Sequence, residues 1–508
     1  MSTTLRAGRP AGRGPVPGWP GRPVIYEVNT AVWLSELSRR AARPVTLDAV
    51  TAADWDTVTP DGVDAVWLMG VWERSPAGRA VAAADAGIQA SFREALPDLQ
   101  PGDLLGSPYC VRRYRADPAF GGPDGLAAAR AALAARDVRL ILDYVPNHVA
   151  PDQPWVDSHP EYFIRGAEHD LDADPGRWTV AGGQILAHGR DPYFPSWTDT
   201  VQVNAFSPAL RAAAADTLAA IAGQCDGIRC DMAMLLINRV FAGTWGGRAG
   251  PEPATDFWPA VLGELRRGHP ETVFIAEAYW DMEAELQHQG FQFCYDKRLY
   301  DRIVDGDPAA VREHLGADAA YQDRLLRFVE NHDEPRAAGK LRPGAERAVA
   351  VALATLPGAT MWHDGQFEGR RVRVPVFLSR RPAEPPDLAL AEWYRHLLAT
   401  VRRHRVRSGS WQLLEVTGWP DNQSCRNLLA WSWDGAPGDA RHLVVVNLSG
   451  EPAQGRIPLA WPGLADREWR LADLLSHRVF ERDGGELAGP GLYVGLDPWG
   501  AHLLTVSR

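Results

Sequence analysis

Cysteine is scarce in this chain and long apolar runs are missing. Cys110, Cys225, Cys230, Cys294 and Cys425 are odd in number and show no CxxC spacing, so neither a disulfide framework nor a zinc site is expected. A reducing compartment fits that usage, and the expected location is cytoplasmic. No stretch approaches the about 20 apolar residues that cross a bilayer. The opening residues, rich in Arg, Gly and Pro, lack the apolar centre of a secretory signal; residues 1–22 read as a disordered tail. Positive charge is also in deficit. A formal net charge of −11 leaves no clustered Lys and Arg to displace counterions from phosphates, which argues against a nucleic-acid partner. The expectation is a soluble protein with neither nucleic acid nor membrane as partner.

What is present is an ordinary globular composition, 45% apolar and 23% charged over 508 residues, enough for a large core and two or three structural units. The 20 tryptophans are the oddity. Flat aromatic faces stack on sugar rings, yet Trp is equally a packing residue, and the count alone favours packing.

Taken in order, VIYEVN (24–29) is a short buried strand, residues 47–58 have amphipathic helical spacing, and VDAVWLMGV (63–71) is a second strand. An Ala-rich helix at 126–136 leads into the strand VRLILDYV (138–145), which runs directly into PNH. Residues 150–206 lose all helical period and read as an insertion over a site. Regular structure resumes with a helix at 208–224 and the strand GIRC of GIRCDMAM (227–234). TVFIAEAY, FQFCYD, LLRFVENHDE and the segment after Pro357 continue the alternation. About eight strands alternating with helices predict a closed (β/α)8 TIM barrel over 23–149 and 207–408, with a short inserted subdomain (150–206) after the third strand. From 409 to 508 short alternating runs separated by turns predict a C-terminal antiparallel β-sandwich domain. Its Trp411, Trp431 and Trp433 are expected to pack against the barrel rather than bind polysaccharide.

Three acidic residues stand at the ends of predicted strands: Asp231, Glu277 and Asp333. In a barrel such ends converge on one mouth, where three carboxylates suggest glycosidic-bond chemistry or a divalent metal site. Any one alone is more simply a loop cap or the partner of an arginine. Arg229 lies two residues before Asp231, so both side chains share one face of a strand, and an arginine there favours the ionised carboxylate.

DYVPNH, GIRCDMA, FIAEAYW and FVENHDE, in this order and at these spacings, resemble the four short sequence regions of the alpha-amylase superfamily, glycoside hydrolase family 13. The resemblance covers most of the chain, from Val24 to the C-terminal β domain. It implies a covalent mechanism with Asp231 as nucleophile, Glu277 as general acid/base and Asp333 as stabiliser of the distorted sugar. The two carboxyls of such a retaining pair should lie about 5 to 6 Å apart, and Glu277 should carry a raised pKa. It further implies that His148 and His332 contact sugar hydroxyls, that Tyr109 stacks on the ring, and that Asp143 helps hold Arg229. Where many amylases continue with a Lys-His pair, this chain has Met234 and Leu235, which speaks against endo cleavage of long polymers. The insertion lacks a cluster of Asp ligands despite Asn147, and neither metal nor cofactor is expected.

The leading expectation is a retaining enzyme on α-glucosidic bonds of short α-glucans or maltooligosaccharides. The alternative passes the glycosyl unit to a sugar acceptor, with Met234, Leu235, Tyr279 and Trp280 as an apolar acceptor platform. A third reading, an inactive carbohydrate-binding protein, sits poorly with three retained acids. The sequence leaves the oligomeric state open.

Overall fold

The computed structural model describes residues 16–435, 440–465 and 467–507. Eight parallel strands close into a barrel in sequence order: β1 (Val24–Asn29), β2 (Ala65–Met69), β3 (Arg139–Tyr144), β4 (Gly227–Cys230), β5 (Val273–Ala276), β6 (Phe293–Tyr295), β7 (Leu325–Arg327) and β8 (Ala359–His363). Their near-continuous apolar sequences follow from burial on both faces. Ile25, Trp67, Met69, Ile141, Ile275, Phe293 and Met361 fill the barrel interior. Val24, Tyr26, Val28, Val66, Leu140, Leu142 and Phe274, one residue out of step, pack against the outer helices.

The helix after β1, Thr30–Ala41, is capped by the Asn29 side chain, which accepts from the Val32 N–H. Helical spacing at 47–58 resolves into a 3-10 turn, Leu47–Ala49, and a separate helix, Ala52–Val58, whose capping box at Thr51 and Asp54 fixes its start. Two further helices, Pro76–Ala84 and Ala86–Ala95, occupy the stretch after β2.

The expected tail begins with fifteen residues that lie outside the described ones. Residues 16–22 depart from that expectation. Trp19 is buried under the barrel floor beside Ile141 and Gly227. Arg22 donates Nε and Nη2 to Asp323 at 2.7 and 3.0 Å, donates Nη1 to the Arg407 carbonyl, and covers the Trp433 ring at 4.6 Å. Composition averages over a window and misses one aromatic anchor and one arginine fork.

Residues 150–206 hold the hairpin Trp178–Ala181 with Gln184–Ala187 and a small apolar core of Val149, Val156, Phe163, Leu186, Val201 and Val203. A short ladder, His148–Val149 with Val201–Gln202, ties this segment to the end of β3. Gly189 passes so close that a Cβ there would sit 2.8 Å from the His148 Cβ.

Six antiparallel strands form the main C-terminal sheet, in the order Ser410–Leu414, Leu428–Asp434, Arg441–Asn447, Ala501–Ser507, Glu468–Asp473, Val479–Asp483. Ala453–Ile457 and Leu492–Leu496 make a second, two-stranded sheet, with Leu428, Leu443, Val445, Ile457, Leu471, Val494 and Leu504 among the apolar residues of their common core. The main sheet's other face lies on the barrel. Trp431 and Trp433 are fully buried there, and the Trp433 indole N–H donates to the Thr355 carbonyl at 2.7 Å. Among the described residues no helix is long and apolar enough to cross a membrane.

Candidate active site

The carboxyl ends of the strands build one mouth, and β4 is its centre. Register places Arg229 opposite Asp143 on β3 and Ile275 on β5, and Cys230 opposite Tyr144 and Ala276. The ladder continues one step further: the Asp231 N–H donates to the Tyr144 carbonyl at 2.8 Å, and the Glu277 N–H to the Cys230 carbonyl at 3.0 Å. Asp231 and Glu277 are therefore held by sheet hydrogen bonds rather than by free loops, the rigid footing a reacting pair requires. Met232 follows Asp231 in the left-handed region, φ 42°, a conformation costing about 1–2 kcal/mol for a side chain with Cβ. That turn aims the Met232 N–H at Glu277 Oε2, 2.6 Å away.

One guanidinium bridges the two acids. Arg229 Nη1 lies 2.7 Å from Asp231 Oδ1 and Nη2 lies 2.7 Å from Glu277 Oε2, with Asp143 Oδ1 at 3.7 Å. Both carboxylates thus face one space. Asp143 is itself fixed from β2, where the Gly70 N–H donates to Oδ2 at 3.0 Å. The rings of Trp67, Tyr109 and Tyr295 surround Arg229 at 5.2, 5.2 and 5.7 Å. Only 1% of its side chain is exposed, and the ring faces and carboxylates replace the water it has lost.

Burial pushes the Glu277 carboxyl up to about 7, with Asp231 and Asp333 adding to the rise and Arg229 opposing it. The Tyr279 hydroxyl donates to Glu277 Oε1 at 3.1 Å. Asp231 also lies above the usual carboxylate range, because burial outweighs the lowering effect of Arg229. The sequence showed the arginine and not the depth of burial. Asp333 goes the other way: burial opposes, but the neighbouring His332 brings it down to about 2, and 44% of its side chain remains open to the mouth.

The two histidines differ. Burial holds His148 down at about 4, a neutral ring packed against Trp197 at 4.9 Å. His332 rises well above the ordinary value: burial opposes, and the Asp333 and Glu27 carboxylates override it. His332 Nε2 lies 3.0 Å from Asp333 Oδ2 and 2.6 Å from the Tyr109 hydroxyl. The Tyr109 ring also stacks on His332, with centroids 5.3 Å apart. All eight residues singled out from sequence, Tyr109, Asp143, His148, Arg229, Asp231, Glu277, His332 and Asp333, stand at this mouth.

Sequence reasoning missed four contributors. Trp67 and Tyr295 were hidden in apolar strands, and Trp197 in the irregular insertion. Glu27 carried a signal, a lone acid inside a strand otherwise apolar on both faces. Two expected platform residues are elsewhere: Met234 and Leu235 are 0% and 3% exposed, inside the main core beneath the turn Ala233–Leu236. Their apolar character is explained by that burial. Tyr279 and Trp280 remain partly exposed at the mouth. Trp280, at φ 59°, meets Tyr193 of the inserted segment edge to face at 4.8 Å. Among the described residues no group of three His, Cys, Asp or Glu is placed to hold a metal ion, and the Asn147 amide is taken up by Gln202 on both its oxygen and its nitrogen.

No protein-family model matches the chain. It is 26% identical over 368 residues to the alpha-amylase MalA of Haloarcula japonica, covering 70% of this chain and 46% of that protein. It is 24% identical over 430 residues to the alpha-1,4-glucan:maltose-1-phosphate maltosyltransferase of Burkholderia pseudomallei, covering 79% of this chain and 32% of that one. The chain thus spans less than half the length of these two curated relatives. Among solved structures, a noncanonic maltogenic alpha-amylase AmyB from Thermotoga neapolitana superposes with a TM-score of 0.67 at 18% identity, over 96% of this chain and 99% of that one. These likenesses show that the chain is similar in sequence to both curated proteins and shares the fold of this solved alpha-amylase.

Proposed function

We propose that the chain is a retaining glycosidase acting on α-glucosidic bonds of short α-glucans or maltooligosaccharides. The observation that carries this is the single Arg229 guanidinium shared by Asp231 and Glu277, with Asp333 beside them. In the first half of the reaction an Asp231 carboxylate oxygen attacks the anomeric carbon. Glu277, protonated near pH 7, gives its proton to the departing glycosidic oxygen. In the second half the Glu277 carboxylate takes a proton from an incoming hydroxyl. That oxygen attacks the same carbon and releases Asp231. Two inversions retain the α configuration. Tyr109, His148 and His332 would hold the reacting sugar, and Asp143 would keep Arg229 in place.

A second reading, transfer to a sugar acceptor in place of water, is favoured by the exposed rings of the inserted segment, where Tyr193 meets Trp280 edge to face at 4.8 Å. Tyr193 and Phe194 are 69% and 65% exposed, unusual for such rings. The buried Asp191 carboxylate accepts from both their N–H groups at 2.6 and 2.9 Å, so they are presented rather than loose. Such faces bind a sugar ring and exclude water from the second half-reaction. The comparison with a maltosyltransferase points the same way.

Product analysis separates the readings. Incubation with maltose, maltooligosaccharides, trehalose, sucrose and glucosyl phosphates should yield shortened α-glucans and retained anomers for hydrolysis, and longer or new-linkage products for transfer. Asp231→Asn should abolish turnover while sugar binding persists; turnover at the wild-type rate would exclude the nucleophile assignment. Binding without turnover in the unaltered protein would instead establish a carbohydrate-binding role.

A further inference from the structure

We propose that Glu27, on β1 behind the mouth, is a positioning residue that keeps His332 as an imidazolium clamped between two carboxylates, so that Asp333 is held by a charged N–H at every working pH. This rests on the reading of the mouth as a glycosidic site.

Glu27 is fully buried in the middle of a barrel strand. Its Oε1 lies 2.5 Å from His332 Nδ1, and among the described residues this is its ion-pair partner. Its Oε2 is buried with no hydrogen-bond partner. A carboxylate kept for stability alone would not be left so: a buried ion with one partner and an idle oxygen costs the fold more than an apolar residue of similar volume. Every bond Glu27 makes is directed at the imidazole, whose opposite nitrogen faces Asp333. A neutral imidazole carries one N–H and would serve one side only; an imidazolium donates at both nitrogens. Carboxylates lie 2.5 and 3.0 Å away on opposite edges, a pair that only the doubly protonated ring serves on both sides, with the Tyr109 hydroxyl sharing Nε2 at 2.6 Å.

The other charged and titratable groups around this pair come from several elements. Arg229 on β4 and Asp143 on β3 act on it across the mouth, and the Tyr109 hydroxyl touches His332 Nε2. From behind, His363 on β8 acts on Glu27 and is engaged by Glu330 at 3.3 Å and Arg336 at 2.9 Å. The Trp67 ring edge closes the remaining side of His332 at 5.4 Å. Burial opposes charge on both partners, yet Glu27 is held below the usual carboxylate range by His363 and His332.

The function that follows is electrostatic. Asp333 must be aimed as an anion at the sugar as positive charge develops there, and a charged N–H 3.0 Å away fixes its direction until His332 loses its proton at alkaline pH. The test is Glu27→Gln, which keeps shape and a hydrogen-bond acceptor but removes the charge. The ring protons of His332 are followed by NMR, and kcat is read against pH. In the intact protein His332 should remain charged from pH 5 to 9. In Glu27→Gln it should titrate inside that window, and the loss in kcat should grow from less than threefold at pH 5.5 to tenfold or more at pH 8, with KM little changed. A loss independent of pH, or a His332 that already titrates in the intact protein, overturns the proposal. The NMR arm needs no turnover, so a failure of the glycosidic reading is distinguished from a failure of this one. Should Glu27→Gln not fold, Asp333→Asn serves: His332 should stay charged through pH 7 on Glu27 alone, and its loss of charge there would refute the clamp.

Discussion

Replacing Arg229 by lysine keeps a positive charge at the centre of the mouth and removes the fork. In the native site Nη1 donates a hydrogen bond to Asp231 and Nη2 makes an ion-pair contact with Glu277, each at 2.7 Å. An ammonium on a four-carbon stem is a point charge without that planar spread, so it serves one acid and releases the other. The buried hydrogen bond to the Asp231 carboxylate contributes about 1.5–3 kcal/mol, the charge contact to Glu277 acts in the same direction, and 1.36 kcal/mol corresponds to one pKa unit. The released carboxyl therefore rises by about one to two pH units. The sign is fixed: a cation favours the ionised acid, and withdrawing it favours the protonated one. Because Asp231 and Glu277 titrate as a pair, the limbs of the pH profile belong to both. In Arg229→Lys at least one limb of kcat/KM should move upward by that amount, and neither should move down. The assay is initial-rate kinetics on maltotriose from pH 4 to 10, with unfolding followed in parallel at each pH. A profile of reduced height but unchanged limbs would show that the bridge does not set the ionisation of the pair. That result would refute the reasoning.

Glu277→Gln should lower kcat on maltooligosaccharides by about 10²–10⁴-fold, with little loss on a glucosyl fluoride, whose leaving group needs no proton; equal losses on both would remove the general-acid role. Arg22→Ala breaks a two-bond contact to Asp323 and a stack on Trp433. It should cost about 1–2 kcal/mol, read as a lower urea midpoint, and an unchanged midpoint would mean that residues 16–22 do not anchor the barrel floor. The Glu27–His332 pair has a stability signature of its own. The raised His332 contributes stability that is fully present below its unfolded value of about 6.5 and is lost as pH rises through the folded one. The lowered Glu27 contributes above about 4.3 and fades as pH falls through its folded value. Glu27→Gln should therefore flatten the alkaline slope of unfolding free energy against pH; an identical slope would show that His332 is not charged through Glu27.

The barrel was legible because its strands are covered on both faces and therefore stand out as apolar runs, and because each of four runs ends in polar residues. Arg229 and Asp231 were readable as one constellation since strand periodicity alone puts them on one side. What sequence could not supply was distance across the barrel. Nothing in VIYEVN says that Glu27 touches a residue three hundred positions later, though a charge in a doubly covered strand demands a partner. Met234 and Leu235 show the opposite error: apolar residues beside a catalytic motif suggested a platform, and they proved to be the floor of the turn. The ring that does meet Trp280 at the mouth, Tyr193, comes from a segment without periodicity, where position in space has no trace in residue spacing.

The charges at the mouth add up to a preference. Asp231, Asp143, Asp333 and Glu27 face the cations Arg229 and His332, and Glu277 holds its proton near neutrality. The buried site thus carries an excess of negative charge with little water to screen it, and a neutral sugar gains nothing from that excess. An anomeric carbon on its way to an oxocarbenium ion does, so the arrangement distinguishes the transition state from the ground state. A basic iminosugar tests this directly, since its protonated nitrogen imitates the developing charge while a lactam of the same shape does not. The iminosugar should bind at least tenfold more tightly than the lactam at pH 7. Its affinity should weaken as pH falls and the raised Asp231 carboxyl takes up a proton, while that of the lactam stays level. Equal affinities, or parallel pH dependences, would mean that the mouth recognises sugar shape and makes no use of its charge.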